Sequence, residues 1–318
     1  LERQLAEAAE DASAEAAAAG RLLEARRELA RLEAPERMEP ASVERLSRVA
    51  QCFEDSLADL LVSPGDGWTT EQVGPGLESH YKLANGLFQS ICAVEAEGDP
   101  VLALAAILEC DLSKGYKPNI ISMVPLGGAE DAVDSVWHLR QRGRISGAME
   151  DVVAQVSYVD ALDEEFGSLW ACIYPPADAG ATRLRGLALP AAEPGSTRDA
   201  EWRTTFRITP TRRTGSSQPQ GFTMAAALSA RPSSAARAVL AGMPGFAFRM
   251  LMSGCARDLC NRFRQHAESC RELHERVRSP PRAAFYELVR RRLGGEPAAR
   301  PPRPGAALGL AAGPGGIP

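Results

Sequence analysis

The sequence predicts an α+β domain: a curved antiparallel sheet closed by a long C-terminal α-helix, with an extra helix at the N-terminus. Three observations carry that prediction. Apolar residues recur at helical spacing from Phe248 to Val277, the short stretches before them alternate apolar with polar residues, and those stretches are separated by turn residues rather than helices.

Residues 1–37 are Ala, Glu and Arg almost throughout, with Leu5, Leu22, Leu23, Leu29 and Leu32 the large apolar residues after Leu1. Helix propensity is high and there is little to bury, so an exposed helix or weak coiled coil is expected, either a solvated tail or a surface for a protein partner. Pro35 and Pro40 then punctuate the chain. A main domain over 41–293 opens on a helix with Ser42 as its cap and Val43, Leu46, Val49, Ala50, Phe53, Leu57, Leu60 and Leu61 as its stripe. Ser63-Pro64-Gly65-Asp66-Gly67 ends it in a turn.

Glu78–Ala84 and Leu87–Ala96 read as a hairpin around Asn85-Gly86, a dipeptide that accepts the positive φ of a two-residue turn. Pro100 at a first helical position opens a short, wholly apolar helix running to Leu108. Seven further strands are expected: Ile120–Leu126, Val133–Arg140, Met149–Val159, Leu169–Tyr174, Arg183–Leu189, Glu201–Ile208 and Phe222–Ala230, forming an antiparallel meander.

The closing helix, drawn over Ser234–Val277, carries Phe248, Leu251, Met252, Cys255, Leu259, Phe263, His266, Cys270, Leu273 and Val277 on one face. Arg257, Arg262, Arg264, Glu268, Arg271, Glu272, Glu275 and Arg276 lie on the opposite, solvated one. No proline or glycine after Gly254 interrupts it before Pro280, and Gly254 itself is expected at a point of close packing or flexing. Ala283–Leu293 forms a last short helix. The Pro, Gly and Ala of 294–318 offer too little to bury and predict disorder.

Hydrophobic residues at 45% and charged residues at 24% describe a globular chain. The net charge of -5 gives no reason to expect nucleic acid as a partner, although the last ninety residues are Arg-rich. The seven cysteines form no CxxC pair, so neither a disulfide framework nor a metal site is expected, and Cys255, Cys260, Cys270 and His266 read as buried side chains. No run of about twenty apolar residues and no signal-peptide pattern occurs, so a cytoplasmic location is expected; Leu1 in place of Met leaves room for residues upstream.

Particular stretches also match a family. These are Asp66-Gly67-Trp68, Tyr81-Lys82, the run Leu108-Glu109-Cys110-Asp111-Leu112 leading through Lys114 to Lys117-Pro118, and Met243-Pro244-Gly245-Phe246 before the last helix. Over 42–277 the chain resembles the START domain, a helix-grip member of the Bet v 1-like superfamily. Tyr116 stands where many relatives have Trp. The resemblance implies an internal chamber for a lipid or other hydrophobic ligand, intermembrane transfer or sensing, transient contact with a membrane surface, no cofactor and no covalent step.

From the alternation, Trp137, Tyr158, Trp202, Phe206, Phe222 and Met224 should face that chamber, with Phe248, Leu251, Met252 and Cys255 on the lid. Two other functions stay open. One is a cyclase- or hydrolase-like enzyme in the same chamber, with Glu109, Asp111 or His138 as acid–base groups. The other is a scaffold acting through the N-terminal helix. No nucleotide, P-loop, HExxH or GxSxG pattern is present.

Overall fold

The computed structural model describes residues 48, 51, 53–60 and 67–294, apart from 128–133, 144–146, 163–166, 177, 179, 197, 199–201, 213–218, 233 and 281. The helix expected over 1–37, most of the stripe expected before Phe53, Val133 and the tail beyond Gly294 lie outside the described residues.

Nine strands form one antiparallel sheet. They are β1 (Thr69–Gly74), β2 (Leu77–Ala84), β3 (Leu87–Glu97), β4 (Ile120–Gly127), β5 (Asp134–Arg142), β6 (Met149–Ala161), β7 (Ser168–Tyr174), β10 (Trp202–Thr211) and β11 (Gly221–Ala230). Their order is β1-β2-β3-β11-β10-β7-β6-β5-β4. The run from β4 onward is a meander, as expected, but its last strand returns to pair with β3, Phe88 opposite Ala230 and Ala96 opposite Phe222. The β2–β3 turn is the expected one: Asn85 and Gly86 have φ of 53° and 74°.

Two expectations on strands change. β1 was not foreseen, because Val73 is its one large apolar residue and the rest of Thr69–Gly74 is polar. Arg183–Leu189 is no strand of the sheet. It folds as a two-rung hairpin, β8 (Arg183–Leu184) with β9 (Leu187–Ala188), turning at Arg185 and Gly186, both at positive φ. The turn at Arg185 and Gly186 falls in the middle of the seven residues, leaving two on each side to pair, too few to form a strand of the main sheet.

Helix α1 (Pro100–Leu108) is capped by Asp99, whose carboxylate accepts from the Val101 N–H at 2.8 Å. It is apolar all round and almost wholly buried, as a helix between two layers must be. A 3-10 turn, Cys110–Gly115, follows.

The closing segment is three helices rather than one: α2 (Ser234–Ala241), α3 (Gly245–Ser269) and α4 (Arg271–Arg278). Pro244, at φ -58° and ψ 143°, separates the first two. Cys270 separates the others with an extended backbone, ψ 104°, although no breaker residue stands there. The apolar stripe survives the break, since Phe263, His266, Leu273 and Val277 are all buried. Last comes α5 (Arg282–Leu293).

The sheet is covered on both faces. Over its outer face lies the helical segment 53–60, with Phe53 edge-on to Trp170 at 5.2 Å between ring centres. Ser56 accepts from Thr205 at 2.8 Å, and Arg203 pairs with Asp59 at 2.7 Å and Asp55 at 3.2 Å. Beside it the β8–β9 excursion is strapped across β5 and β6 by Arg185 on Asp134 (2.7 Å), Arg198 on Asp151 and Arg140 with Glu193. The opposite, concave face meets α1, α3, α4 and α5, and the main apolar core sits between them.

Candidate functional site

Cross-strand register decides which residues share the concave face, because side chains alternate along each strand. Tyr158 lies opposite Ala171, Ala171 opposite Phe206, Phe206 opposite Ala226; Met224 stands opposite Ile208 and Val94. Along these rows Trp137, Tyr158, Trp202, Phe206, Phe222 and Met224 all fall on the concave face. The residues expected on the lid lie on α3 and are half-buried: Phe248, Leu251, Met252 and Cys255. Phe248 packs edge-on against Tyr81 at 5.5 Å and Phe88 at 6.3 Å, which fixes it over the β2–β3 arm.

The face is covered unequally. At one end Trp137, Tyr158, Phe206, Phe222 and Met224 are buried under α1, α4, α5 and the later turns of α3. At the other end Trp202 and Thr204 of β10, Ala226, Leu228 and Ala230 of β11, and Met123 of β4 stay half-exposed. β10 and β11 are central strands, so this exposure measures the cover above them, not an edge. Trp202 lies against the cluster of Ile120, Leu139 and Val152, and its indole N–H has no partner among the described residues. The hydroxyl of Tyr158, in the covered end beside Phe285 at 5.2 Å between rings, also has none.

Carboxylates fasten the covered end. Glu109, with 0% exposure, accepts from Tyr286 Oη at 2.6 Å and pairs with Arg276 and Arg282, each at 3.1 Å. Asp111 holds the other nitrogen of Arg276 at 2.8 Å. Hydrogen bonding to Asp111, with the nearby Glu109 charge, raises the pKa of Arg276, and burial followed by the Glu109 charge raises that of Tyr286. Asp160 pairs with Arg292 at 3.0 Å, tying α5 to β6. Arg276 therefore belongs to a clasp between α4 and the end of α1, not to the solvated face expected for it. His266 lies so near Gly115 that a Cβ there would come within 2.5 Å of its ring, and burial lowers its pKa.

The acid–base candidates are engaged elsewhere. Glu109 and Asp111 are the clasp. His138 faces outward, with Nε2 2.9 Å from Asp151, which also holds Arg198. Cys260 packs with Val73 and Leu77, and burial pushes its thiol up to about 12, as it does for Cys110. Gly254 is exposed with nothing within 4 Å of an added Cβ, which removes close packing as its role. Two open clefts of about 330 and 350 Å³ lie at another rim, among Glu95, Glu97, Asp99, Arg212, Gln220 and Arg290. Their linings are largely polar and charged, although the first also touches Ala96 and Phe222 at the end of the concave face.

Local sequence carried no signal for the clasp or for the Asp160–Arg292 pair. Their partners are far apart in the chain and meet only once the last helices dock.

No family model matches the sequence, and none of the curated proteins does. Solved structures match the fold. Human StAR-related lipid transfer protein 5 superposes with a TM-score of 0.52 at 10% identity, over 70% of this chain and 95% of its own. Human STARD10 superposes with a TM-score of 0.50 at 14% identity, over 74% and 86%. At such identities the likeness shows the fold alone: an antiparallel sheet with C-terminal helices, the START-like helix-grip arrangement.

Proposed function

We propose that this protein binds a lipid or other hydrophobic molecule between the concave face and α3, and collects or delivers it at a membrane. The observation that carries the reading is the half-covered end. Apolar residues of central strands stay half-exposed, and the first turns of α3, which lean on β1–β3, leave Phe246 63% and Met250 73% exposed. Apolar surface left in that state is stabilised by an apolar occupant. One structure of the same fold is, by name, a StAR-related lipid transfer protein, which agrees with the reading.

Charge supports the membrane step. From Trp202 to Arg257 the sequence holds no acidic residue, and Arg237 and Arg249 are exposed beside Phe246 and Met250 along this stretch. Exposed apolar side chains flanked by arginines suit an anionic bilayer surface.

Native mass spectrometry of the protein purified from cells should show a bound lipid mass. An empty protein that takes up no lipid from vesicles would overturn the proposal. Met252→Arg, on the half-buried side of α3, should abolish lipid transfer between vesicles while shifting stability by about 1 kcal/mol or less.

A further inference from the structure

Resting on that reading, the charge of the concave face narrows the ligand class. Among the described residues, the inward positions of the nine strands include the acids Glu71, Glu150 and Asp160 but no Lys or Arg. The outward positions carry Lys82, Arg140, Arg203 and Arg207. Of the arginines on the C-terminal helices, Arg276 and Arg282 are matched by Glu109 and Arg292 by Asp160, while Arg249, near Tyr81, is exposed to solvent. Arg257 of α3 donates to the Val73 carbonyl at 3.0 Å. A phosphate or carboxylate entering this space would lose its hydration and meet acids rather than a counter-charge, which is the costly way to bury an ion.

The polar atoms that remain are donors. Trp202 Nε1 can only donate, and Tyr158 Oη donates to any nearby acceptor; both are buried and, among the described residues, unpartnered. Phe206, in register with Ala171 and so with Tyr158, lies four residues from Trp202, about 13 Å along the strand at 3.3 Å per residue. One ligand oxygen therefore meets one donor, and Trp202 is the donor at the half-covered end.

We propose that the ligand is an uncharged lipid bearing a hydroxyl or carbonyl oxygen, of the sterol or diacylglycerol kind, and that Trp202 Nε1 donates a hydrogen bond to that oxygen. Phospholipids and fatty acids are selected against by the missing cation.

The test incubates the full chain with phosphatidylcholine vesicles containing equal amounts of cholesterol, dioleoylglycerol and phosphatidylserine, re-isolates the protein and identifies the bound lipid by mass spectrometry. A neutral lipid should be recovered in about tenfold excess or more over either phospholipid. Trp202→Phe should weaken binding of that lipid about tenfold with Tm unchanged. The unsubstituted protein should likewise bind cholestane, which lacks the hydroxyl, about tenfold less tightly than cholesterol if the sterol is the lipid recovered, a comparison independent of whether the variant folds. Preferential recovery of a phospholipid would overturn the charge argument, and equal affinities in the variant and analogue comparisons would overturn the role of Trp202. Recovery of no lipid at all would instead overturn the proposed function beneath both.

Discussion

From Ala256 onward the closing helices bury Ala256, Cys260, Phe263, His266, Ala267, Leu273 and Val277, whereas between Gly245 and Cys255 no residue of the same α3 is fully buried. The apolar stripe is continuous through both halves, so composition does not separate them. What differs is what lies beneath. The later half meets α1 and is fastened through Glu109, Asp111 and Asp160, and the earlier half leans on the β1–β3 arm over a face left part-open. One sheet face is thus closed core at one end and part-covered at the other, the end where the proposed ligand would sit.

The contrast can be broken from the fastened side first. Glu109→Ala leaves Arg282 and Tyr286 buried around a lost carboxylate and should destabilise the protein by about 3–5 kcal/mol in chemical denaturation. A loss under about 1 kcal/mol would mean that the clasp does not fasten that end.

Gly115→Ala should cost less, about 1–3 kcal/mol, because its Cβ meets the His266 ring at 2.5 Å and the ring is held against Tyr116. Thermal unfolding at fixed pH measures it, and an unchanged Tm would show that this end has room to give.

The smallest effect belongs to the open half. Gly254→Ala should stabilise by about 1 kcal/mol or less, since an exposed helix interior gains from Ala and nothing stands near the new methyl. If ligand exchange slows as stability rises, the half-covered end opens by bending at Gly254; unchanged exchange leaves α3 moving as a rigid rod.

Most of the fold was legible because its signals are local. Asn85-Gly86 specified its turn, Asp99-Pro100 its helix start, and alternation along Trp202–Ile208 and Phe222–Leu228 the inward face that register later placed together. What was not legible depends on partners distant in the chain. β1 is recognised by its pairing with β2, not by its polar sequence, and the break at Cys270 has no breaker residue. Arg276 reads as solvated on the helical wheel until Glu109 and Asp111 arrive beneath it. The candidate site divides the same way. Its apolar wall followed from periodicity, whereas the lack of Lys and Arg at its described inward positions and its unpartnered donors emerged only once strand register and hydrogen-bond partners were in place.

The pairing of β3 with β11 carries a consequence for how the chain folds. Phe88 must wait for Ala230, so the edge of the first hairpin stays open while the chain between them is made. Such long-range closure is slow, and an open apolar edge is a template for the wrong strand. β11 is the keystone of this sheet. A chain ending before Gly221 would hold a three-stranded ribbon and a separate meander with no strand to join them, and its expected fate is aggregation rather than a smaller folded domain.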